Sequence, residues 1–326
     1  MSQRFGFSSI VTSETSSLGK AFSGWSHEFA QMGCGNFIGA MSELWLGKVQ
    51  VFSDSTNLAV DYIGHCWPNS QVFVTYFAGP AVISYGNRRC ESDKLITNRW
   101  DVVDRSSTSD RFMNVGLAVD RDFLEDYARQ CFQVPNPLPL FDHGTARMDT
   151  SAVRMLQRRI LNVLRTFGDS PELVEDPVIC VSLIEHLLYP IIDNFIDHGE
   201  CDRWAPPSTR DYIVSRGREI IEAGLGQPIR MADMCRELRI SQRTLEYSFQ
   251  DVLGVSPASY INMRRLNAVR RDIIAHGDAR YVKSCALRWG FTHLGRFAQS
   301  YRTAFGEMPS DTRYRSAASS RGGIAA

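Results

Sequence analysis

The sequence predicts an α+β protein in two parts, an antiparallel β domain with flanking helices and a C-terminal all-α domain. Three observations support this prediction. The 326 residues suffice for two separate cores, short apolar runs broken by turn residues fill the first part, and a duplicated helical pattern fills the last third. The 44% share of apolar residues is typical of a folded chain and excludes wholesale disorder.

The N-terminal part contains many short segments with the alternation typical of strands. Within residues 37–52, one strand face is expected to carry Phe37, Met41, Trp45, Val49 and Val51. Further strands are predicted at 58–67, 71–78, 81–85, 94–96, 100–103 and 112–119. Many short strands at this spacing predict an antiparallel sandwich or a small barrel.

Two helices are predicted between residues 146 and 200. The first carries Val153, Leu156 and Ile160 on one face, and the second begins at Pro177, a residue suited to a first helical turn. They either cover the β core or form a dimer surface, and the sequence leaves both alternatives open. Residues 201–208, which include two consecutive prolines, are predicted to be an interdomain linker.

A repeat of 51 or 52 positions marks the C-terminal part, where residues 231–257 are echoed by residues 282–309. The matched positions are Met234, Leu238, Ile240, Phe249, Leu253, Gly254 and Pro257 in the first copy, and Cys285, Trp289, Phe291, Tyr301, Phe305, Gly306 and Pro309 in the second. Each copy is predicted to form a short helix, a tight turn and a second helix, which is followed by Gly-x-x-Pro. This is the plan of a helix-turn-helix, and two tandem units can contact two successive major-groove faces of DNA.

The exposed side chains near the start of each second helix are the candidate DNA-binding residues. In the first unit, with Ser241 as the helix cap, they are Gln242, Arg243, Glu246, Tyr247 and Gln250; in the second they are His293, Leu294, Arg296 and Gln299. Most are of the types that bond base edges or phosphates, although Leu294 cannot form a hydrogen bond. A long helix from Pro257 is predicted to join the units, and its Arg264, Arg265, Arg270 and Arg271 either contact phosphates or form a solvated face.

The charge is distributed unevenly although the net charge is zero. Residues 209–316 hold 18 Lys and Arg against 11 Asp and Glu, whereas residues 1–208 hold 17 against 25. The C-terminal third is therefore expected to attract a polyanion. The eight cysteines show no zinc-finger spacing, no phosphate-binding glycine loop is present, and the start of the chain lacks a secretion signal.

The residues of the repeat resemble those of the AraC/XylS family of bacterial transcription factors. The resemblance rests on "MADMCRELRISQRTLEYSFQDVLGVSPASYINMRRLNAVRRDII" and "ALRWGFTHLGRFAQSYRTAFGEMPS". In the N-terminal part, "FIGAMSELWLGKVQVF" and "CWPNS" resemble regulators of ethanolamine-utilisation operons and related amine-responsive activators. The family resemblance implies a cupin-like β-barrel sensor at residues 1–145, a helical hairpin at 146–200 with dimerisation as a candidate role, and a DNA-binding domain at 209–316. The tail at 317–326 is small and polar and is expected to be disordered.

The resemblance also implies the function. We expect a sequence-specific regulator, an activator of a catabolic operon, that responds to a small molecule, with an amine as the candidate inducer. The expected partners are double-stranded DNA, the inducer, RNA polymerase and a second copy of the chain. We expect a location in the bacterial cytoplasm on the nucleoid, no membrane association, no cofactor, no metal and no catalytic residues. The alternatives are a ligand-independent DNA-binding repressor and a cupin-type metalloenzyme fused to a DNA-binding module.

The candidate inducer-binding residues combine one carboxylate with aromatic rings, the two groups that bind an ammonium ion. Glu43 is predicted on the same strand face as Trp45, where a charge is unexpected without a partner. The full candidate set is Glu43, Trp45, Trp67, Tyr76, Phe77 and Trp100. The alternative is that Glu43 pairs with an arginine and that the aromatic residues belong to the core.

Overall fold

The computed structural model of the chain describes residues 4–77, 79, 83–85, 88–90, 94–141, 144–197, 202–203, 208–276 and 281–322. The strands are β1 (Arg4–Thr12), β2 (Ser26–Gln31), β3 (Gly39–Gly47), β4 (Val49–Thr56), β5 (Val60–His65), β6 (Ser70–Tyr76), β7 (Ile83–Tyr85), β8 (Arg88–Cys90), β9 (Lys94–Arg99), β10 (Asp104–Thr108), β11 (Phe112–Asp120), β12 (Gly144–Arg147) and β13 (Asp202–Arg203). The helices are α1 (Thr15–Ala21), α2 (Arg121–Phe132), α3 (Thr150–Asp169), α4 (Pro177–Asp197), α5 (Thr209–Gly224), α6 (Met231–Leu238), α7 (Gln242–Leu253), α8 (Pro257–His276), α9 (Tyr281–Arg288), α10 (Leu294–Phe305) and α11 (Pro309–Gly322).

Two antiparallel sheets make up the N-terminal domain. One has eight strands in the order β1-β3-β4-β11-β6-β9-β12-β13, and the other has five in the order β2-β5-β10-β7-β8. The chain passes from β4 in the first sheet to β5 in the second and back to β6 in the first, and the two sheets enclose one aromatic-rich core between them. Across the described strands neither sheet closes on itself, so the predicted closed barrel is wrong, and the sandwich alternative describes the domain better.

The predicted strand at residues 37–52 is two strands. Gly47 adopts a left-handed backbone, with φ of 68°, and turns β3 into β4 as a hairpin. Both strands are buried on both faces, because one face meets the five-stranded sheet and the other meets α3. Met41 and Trp45 pack in the core between the sheets, whereas Val49 and Val51 pack under α3, so the five residues predicted to share one strand face do not do so.

Helices α3 and α4 cover the outer face of the eight-stranded sheet. Val153, Leu156 and Ile160 of α3 pack with Val49 and Val51 in one buried cluster. The segment 177–196 of α4 is long and apolar enough to cross a membrane, but one such helix is weak evidence, and Leu187, Leu188, Ile191, Ile192 and Phe195 are buried in the domain core. Covering the core is therefore one role of the hairpin.

Two small cores build the C-terminal domain, and α8 contributes to both. Tyr260 and Ile261 pack with α5, α6 and α7, whereas Leu266 and Ile273 pack with α9 and α10. The repeat predicted from the sequence is confirmed at its turns, where Arg239 and Gly290 have φ of 55° and 86° and lie 51 positions apart. With 20 residues, α8 spans about 30 Å.

Two predicted flexible segments are partly ordered. In the predicted linker, Asp202–Arg203 form β13, which pairs with β12, and residues 201 and 204–207 lie outside the described residues. Helix α11 continues to Gly322, so the tail predicted to be disordered from residue 317 is helical up to that point. Residues 323–326 lie outside the described part of the chain.

Candidate DNA-binding surface and sensor cavity

The second helix of each helix-turn-helix unit is the candidate DNA-reading helix, called the reading helix below. The first reading helix, α7, begins at the cap residue that the sequence predicts. The Ser241 hydroxyl accepts a hydrogen bond from the backbone N–H of Thr244 at 3.1 Å, which satisfies a donor that the helix leaves free. Leu245 and Phe249 are fully buried against α5 and α8. Because these residues fix one face of α7 in the core, the opposite face points to solvent.

The solvent-facing side of α7 carries all five candidate residues of the first unit. Gln242, Arg243, Glu246, Tyr247 and Gln250 are exposed. The Gln242 amide donates to the Glu246 carboxylate at 2.8 Å, and the Arg210 guanidinium of α5 lies 4.5 Å from the Tyr247 ring centroid. Arg210 also donates to Asp251 at 2.9 Å, so a pair from α5 and α7 holds the tyrosine.

The second reading helix, α10, is anchored in the same way but capped differently. Phe297 and Tyr301 are buried, and His293 at the cap position makes no side-chain capping hydrogen bond. The four candidate residues His293, Leu294, Arg296 and Gln299 are exposed. Nothing lies within 4 Å of the place where a side chain on Gly295 would begin, so this face is open.

All nine candidate DNA-binding residues are therefore solvent-exposed, and the N-terminal domain covers none of them. The exposed set contains two arginines, three glutamine side chains and one carboxylate, which are donors and acceptors for base edges and phosphates. The arrangement suits a surface that lies along DNA.

The four arginines of α8 that the sequence singles out bond to other groups of the same chain. Arg264 and Arg270 are buried, at 6% and 8% exposure. Arg265 donates to the carbonyl oxygens of Leu225 and Gln227, and Arg271 donates to Glu28 at 2.6 Å. The four side chains therefore do not share one solvated face, because Arg264 and Arg270 are buried and three of the four pair with carboxylates of the N-terminal domain or of α5.

A buried charge cluster centred on Asp61 of β5 joins the two domains. Arg218 of α5 donates to one carboxylate oxygen, and the Tyr260 hydroxyl donates to the other at 2.6 Å. Arg264 lies 3.8 Å from the same carboxylate and 2.7 Å from Glu222. Burial lowers the pKa of Arg264, but Tyr260, Asp61 and Glu222 outweigh it and raise that pKa overall. Each charge is paired, so the loss of one partner would leave a buried ion uncompensated.

A second cluster joins Glu14, which precedes α1, to the second helix-turn-helix unit. Both Glu14 oxygens accept from Arg270, at 2.8 and 3.0 Å, and Arg315 of α11 donates to Glu14 at 2.8 Å. Glu307 accepts from the same two arginines at 2.8 and 2.7 Å. The N-terminal domain thus holds α8 and α11 together.

Strand β2 and the loop after it complete the interdomain contact. The Asn267 amide and the Gln31 backbone exchange two hydrogen bonds, at 2.9 and 2.8 Å. The Gln31 amide and the Gly35 N–H both donate to the carbonyl oxygen of Ala304 near the end of α10. The N-terminal domain therefore contacts the C-terminal ends of the second unit and leaves the N-terminal end of α10 free.

The six predicted inducer-binding residues do not form one site. Glu43 is buried, and its carboxylate accepts from Ser8, Ser23 and Gln50 instead of an arginine. Trp45 and Trp67 lie in contact, with ring centroids 5.5 Å apart, and Tyr76 is buried in the same core. Phe77 packs against the core on the other side of the sheet, and Trp100 lies in an exposed turn.

A narrow cavity of about 30 Å³ lies between the two sheets instead. Its lining residues are Phe22, Trp25, His27, Phe29, Phe52, Asp54, Tyr62, Cys66, Val72, Val74, Tyr85, Asn98 and Asn114. No secondary-structure element was predicted within residues 1–30, so β2 was missed. The alternation of His27, Phe29 and Gln31 was the available signal.

The polar groups of the cavity are unusual for a core. Neither ring nitrogen of His27 has a hydrogen-bond partner, and the Oδ1 atoms of Asn98 and Asn114 have none. Burial, followed by the nearby His65, lowers the pKa of His27 to about 3, so the imidazole is neutral at pH 7. Within the described part of the chain, no three His, Cys, Asp or Glu side chains are grouped to hold a metal ion.

Comparison with known proteins assigns the C-terminal domain. Residues 234–315 match the family model of a helix-turn-helix domain. The probable thc operon regulatory protein of Rhodococcus erythropolis is 28% identical over 204 residues, which cover 60% of each chain. The XylDLEGF operon transcriptional activator of Pseudomonas putida is 38% identical over 95 residues, which cover 29% of this chain and 30% of the activator.

A solved structure gives a third comparison. A probable AraC family transcriptional regulator from Rhodopseudomonas palustris is 33% identical, and the match covers 32% of this chain and 97% of that chain with a TM-score of 0.31. The matches thus span 60% or less of the length of the two operon regulators. Both relatives are named as regulators of operons, and the family match at residues 234–315 agrees with the helix-turn-helix domain that the sequence predicts. Through residues 234–315, the chain therefore contains a helix-turn-helix domain, and its C-terminal part is similar to that of a named operon transcriptional activator.

Proposed function

We propose that the chain regulates an operon by binding its promoter through the exposed faces of α7 and α10, and that a small molecule bound by the N-terminal domain controls this binding. The observation that carries the proposal is the exposure of all nine candidate residues on two capped or anchored reading helices. The similarity to a protein named as an operon transcriptional activator supports activation of an operon. We further propose that this operon is catabolic and that the chain works with RNA polymerase on the bacterial nucleoid.

The DNA-binding proposal is tested by removing one arginine from each reading helix. Arg243→Ala and Arg296→Ala are expected to weaken binding to the native promoter by about 1–3 kcal/mol each, because each removes a contact to a base or a phosphate. Binding is measured by fluorescence anisotropy at two salt concentrations, with a scrambled duplex beside the promoter. Arg154→Ala, an exposed arginine on α3, is the matched control.

The proposal for α7 would be overturned if Arg243→Ala discriminated the promoter from the scrambled duplex as the unchanged chain does. An effect of the same size in Arg154→Ala would also count against it, since that residue is remote from both reading helices.

The control of DNA binding is proposed to be electrostatic. Asp61, Glu14 and Glu28 of the N-terminal domain neutralise Arg218, Arg264, Arg270, Arg271 and Arg315 of the DNA-binding half. Residues 1–208 carry an excess of negative charge and lie next to the positively charged C-terminal domain. This negative charge lowers the attraction between the C-terminal domain and DNA. Release of the contact frees this positive charge, and so we propose that the contact is inhibitory.

The double variant Glu14→Gln/Glu28→Gln tests this direction. It keeps the buried Asp61 cluster and removes two carboxylates from the interface, so promoter affinity is expected to rise about fivefold and to depend more steeply on salt. Glu125→Gln, in an exposed pair with Arg129, removes the same charge away from the interface and serves as the control. Unchanged or weakened promoter binding by the double variant would refute an inhibitory contact.

Two finer assignments belong to the same proposal. The inducer is proposed to be an amine, which is supported by the carboxylate of Asp54 and the aromatic walls of the cavity. A second copy of the chain is proposed to pack on α4, where Val178 and Val181 are 77% and 56% exposed.

A further inference from the structure

We propose that the narrow cavity between the two sheets is the effector site, that it takes a small molecule with a flat apolar body and hydrogen-bond donors, and that strand β2 transmits its occupancy to α8. This inference rests on the proposed function, because it names the ligand chemistry and the transmitting element of the same sensor. The argument begins with the polar groups of the cavity.

The cavity offers acceptors that nothing satisfies. Asn98 and Asn114 are buried, at 3% and 4% exposure, and the Oδ1 atom of each lacks a partner. A buried amide oxygen without a hydrogen bond is destabilising, so a ligand that donates to it recovers free energy. Donors such as ammonium, hydroxyl or amide N–H groups meet this need.

The acceptors of the cavity select against carboxylate ligands. Asn114 lies directly opposite Asp54 in the pairing of β4 with β11, and both residues line the cavity. A carboxylate ligand would offer no proton to the amide oxygen of Asn98 or of Asn114. A neutral or cationic donor supplies that proton.

The walls select the shape of the ligand. Rings of Phe22, Trp25 and Phe52 meet edge to face or tilted, with centroids 5.2–6.0 Å apart, and the side chains of Val72 and Val74 lie on the sheet beside them. Flat aromatic or short alkyl groups fit such a lining through ring contacts and apolar burial.

The size of the cavity determines what must move. At about 30 Å³ it has room for only one or two water molecules, so a ligand of aromatic size displaces part of the wall. Asp54, Asn114 and Asn98 lie on β4, β11 and β9, each of which pairs with strands on both sides. Strand β2 is an edge strand that pairs with β5 alone, and His27 and Phe29 belong to this weaker wall.

A groove and several hydrogen bonds lie between β2 and α8, on the side of β2 away from the cavity. His27 and Phe29 also line an interdomain groove of about 600 Å³, together with Asn267, Arg270 and Arg271 of α8. The intervening residue Glu28 bonds Arg271 at 2.6 Å, and Gln31 at the end of β2 bonds Asn267. Displacement of β2 into the groove would break these contacts and loosen the inhibitory interface.

Binding by the full chain without DNA tests the site. Benzylamine, benzyl alcohol and benzoate share a ring and differ in donor and charge. We expect benzylamine and benzyl alcohol to raise the thermal midpoint and to show saturable heat by calorimetry, and benzoate to do neither. Asn114→Leu and, separately, Asn98→Leu should weaken benzylamine binding at least about fivefold. Asn162→Leu, an exposed position on α3, should bind as the unchanged chain does.

Three results would overturn the site. They are binding of benzoate as tight as that of benzylamine, failure of both donor probes to bind, or unchanged benzylamine binding in whichever asparagine variants fold. Two variants are used because either one alone could disturb the sheet. These measurements contain no DNA, so a failure of promoter binding, which would refute the proposed function, remains distinguishable from a failure of the cavity.

Hydrogen exchange of the full chain tests the transmission. Benzylamine should increase amide exchange in β2 about fivefold or more and leave β11 unchanged. Gly64→Ala offers a ligand-free mimic, because a methyl group there would overlap the Ser26 carbonyl oxygen and the His27 ring and would push β2 outward. Increased exchange in β2 is expected in this variant as well. Protection of β2 by benzylamine, or unchanged β2 exchange in both experiments, would refute its role.

Discussion

The environment of single residues distinguishes the proposed DNA-binding surface from the proposed effector site. Arg243 and Arg296 are exposed on helices whose other faces are buried, so their side chains are free to contact DNA. Their exposure agrees with the prediction from the sequence, because the spacing of Leu245 and Phe249 alone fixes which face of α7 points outward. Glu43 shows the limit of that reasoning, since its partners Ser8, Ser23 and Gln50 come from three separate segments that no local pattern connects.

His27 leads to a prediction about pH and stability. Its pKa is about 3 in the folded chain against 6.5 when unperturbed, so between these values the unfolded chain binds a proton that the folded site rejects. This contribution to stability is fully present above pH 6.5 and is lost as the pH falls towards 3. From pH 6.5 to 5 the loss is about 2 kcal/mol. Urea unfolding of the unchanged chain and of His27→Gln measures it, and parallel pH profiles of the two would contradict the prediction.

The secondary-structure elements show why some parts of the fold were predictable. The helix-turn-helix repeat depends on local signals, namely a cap, a left-handed turn residue and helical spacing, so its elements are placed correctly. Strand β2 and the open sheets depend on long-range pairing, and β2 follows a segment rich in Ser and Gly that carries little signal. The hairpin between β3 and β4 was missed because both strands are buried on both faces.

The cap of α7 gives a prediction at this scale. Ser241→Ala removes the oxygen that accepts from the Thr244 N–H and should destabilise the first unit by about 1 kcal/mol. Faster hydrogen exchange at the start of α7 and weaker promoter binding are both expected. Ser182→Ala, at an exposed position within α4, is the control, and equal exchange of α7 in both variants would argue against the cap.

The molecule as a whole is held together by charge pairs between two oppositely charged halves. The sequence showed this charge segregation, but it could not show which side chains meet, because Asp61 and Arg218 are 157 positions apart. At the same scale, the exposed side of α4 faces away from the domain core. The sequence left open whether this hairpin covers the core or forms a dimer surface, and the two roles use different faces of the helix.

Assembly of the whole molecule can be tested on α4. The double variant Val178→Asp/Val181→Asp places two charges on its most exposed apolar positions and should shift the chain from dimer to monomer in sedimentation experiments. Val11→Asp, at a similarly exposed valine of β1, is the matched control. A chain that is monomeric before substitution, or a double variant that remains dimeric, would refute the α4 surface.

The N-terminal domain contacts the two helix-turn-helix units near the C-terminal ends of α7 and α10. A side chain on Gly306 would overlap Asn36, and one on Gly254 would reach Ser109, whereas the helix starts are untouched. The residues proposed to select the promoter and those proposed to bind the effector are thus two separate sets. If both proposals hold, substitutions on α7 and α10 can change the preferred DNA sequence and leave the response to the effector unchanged.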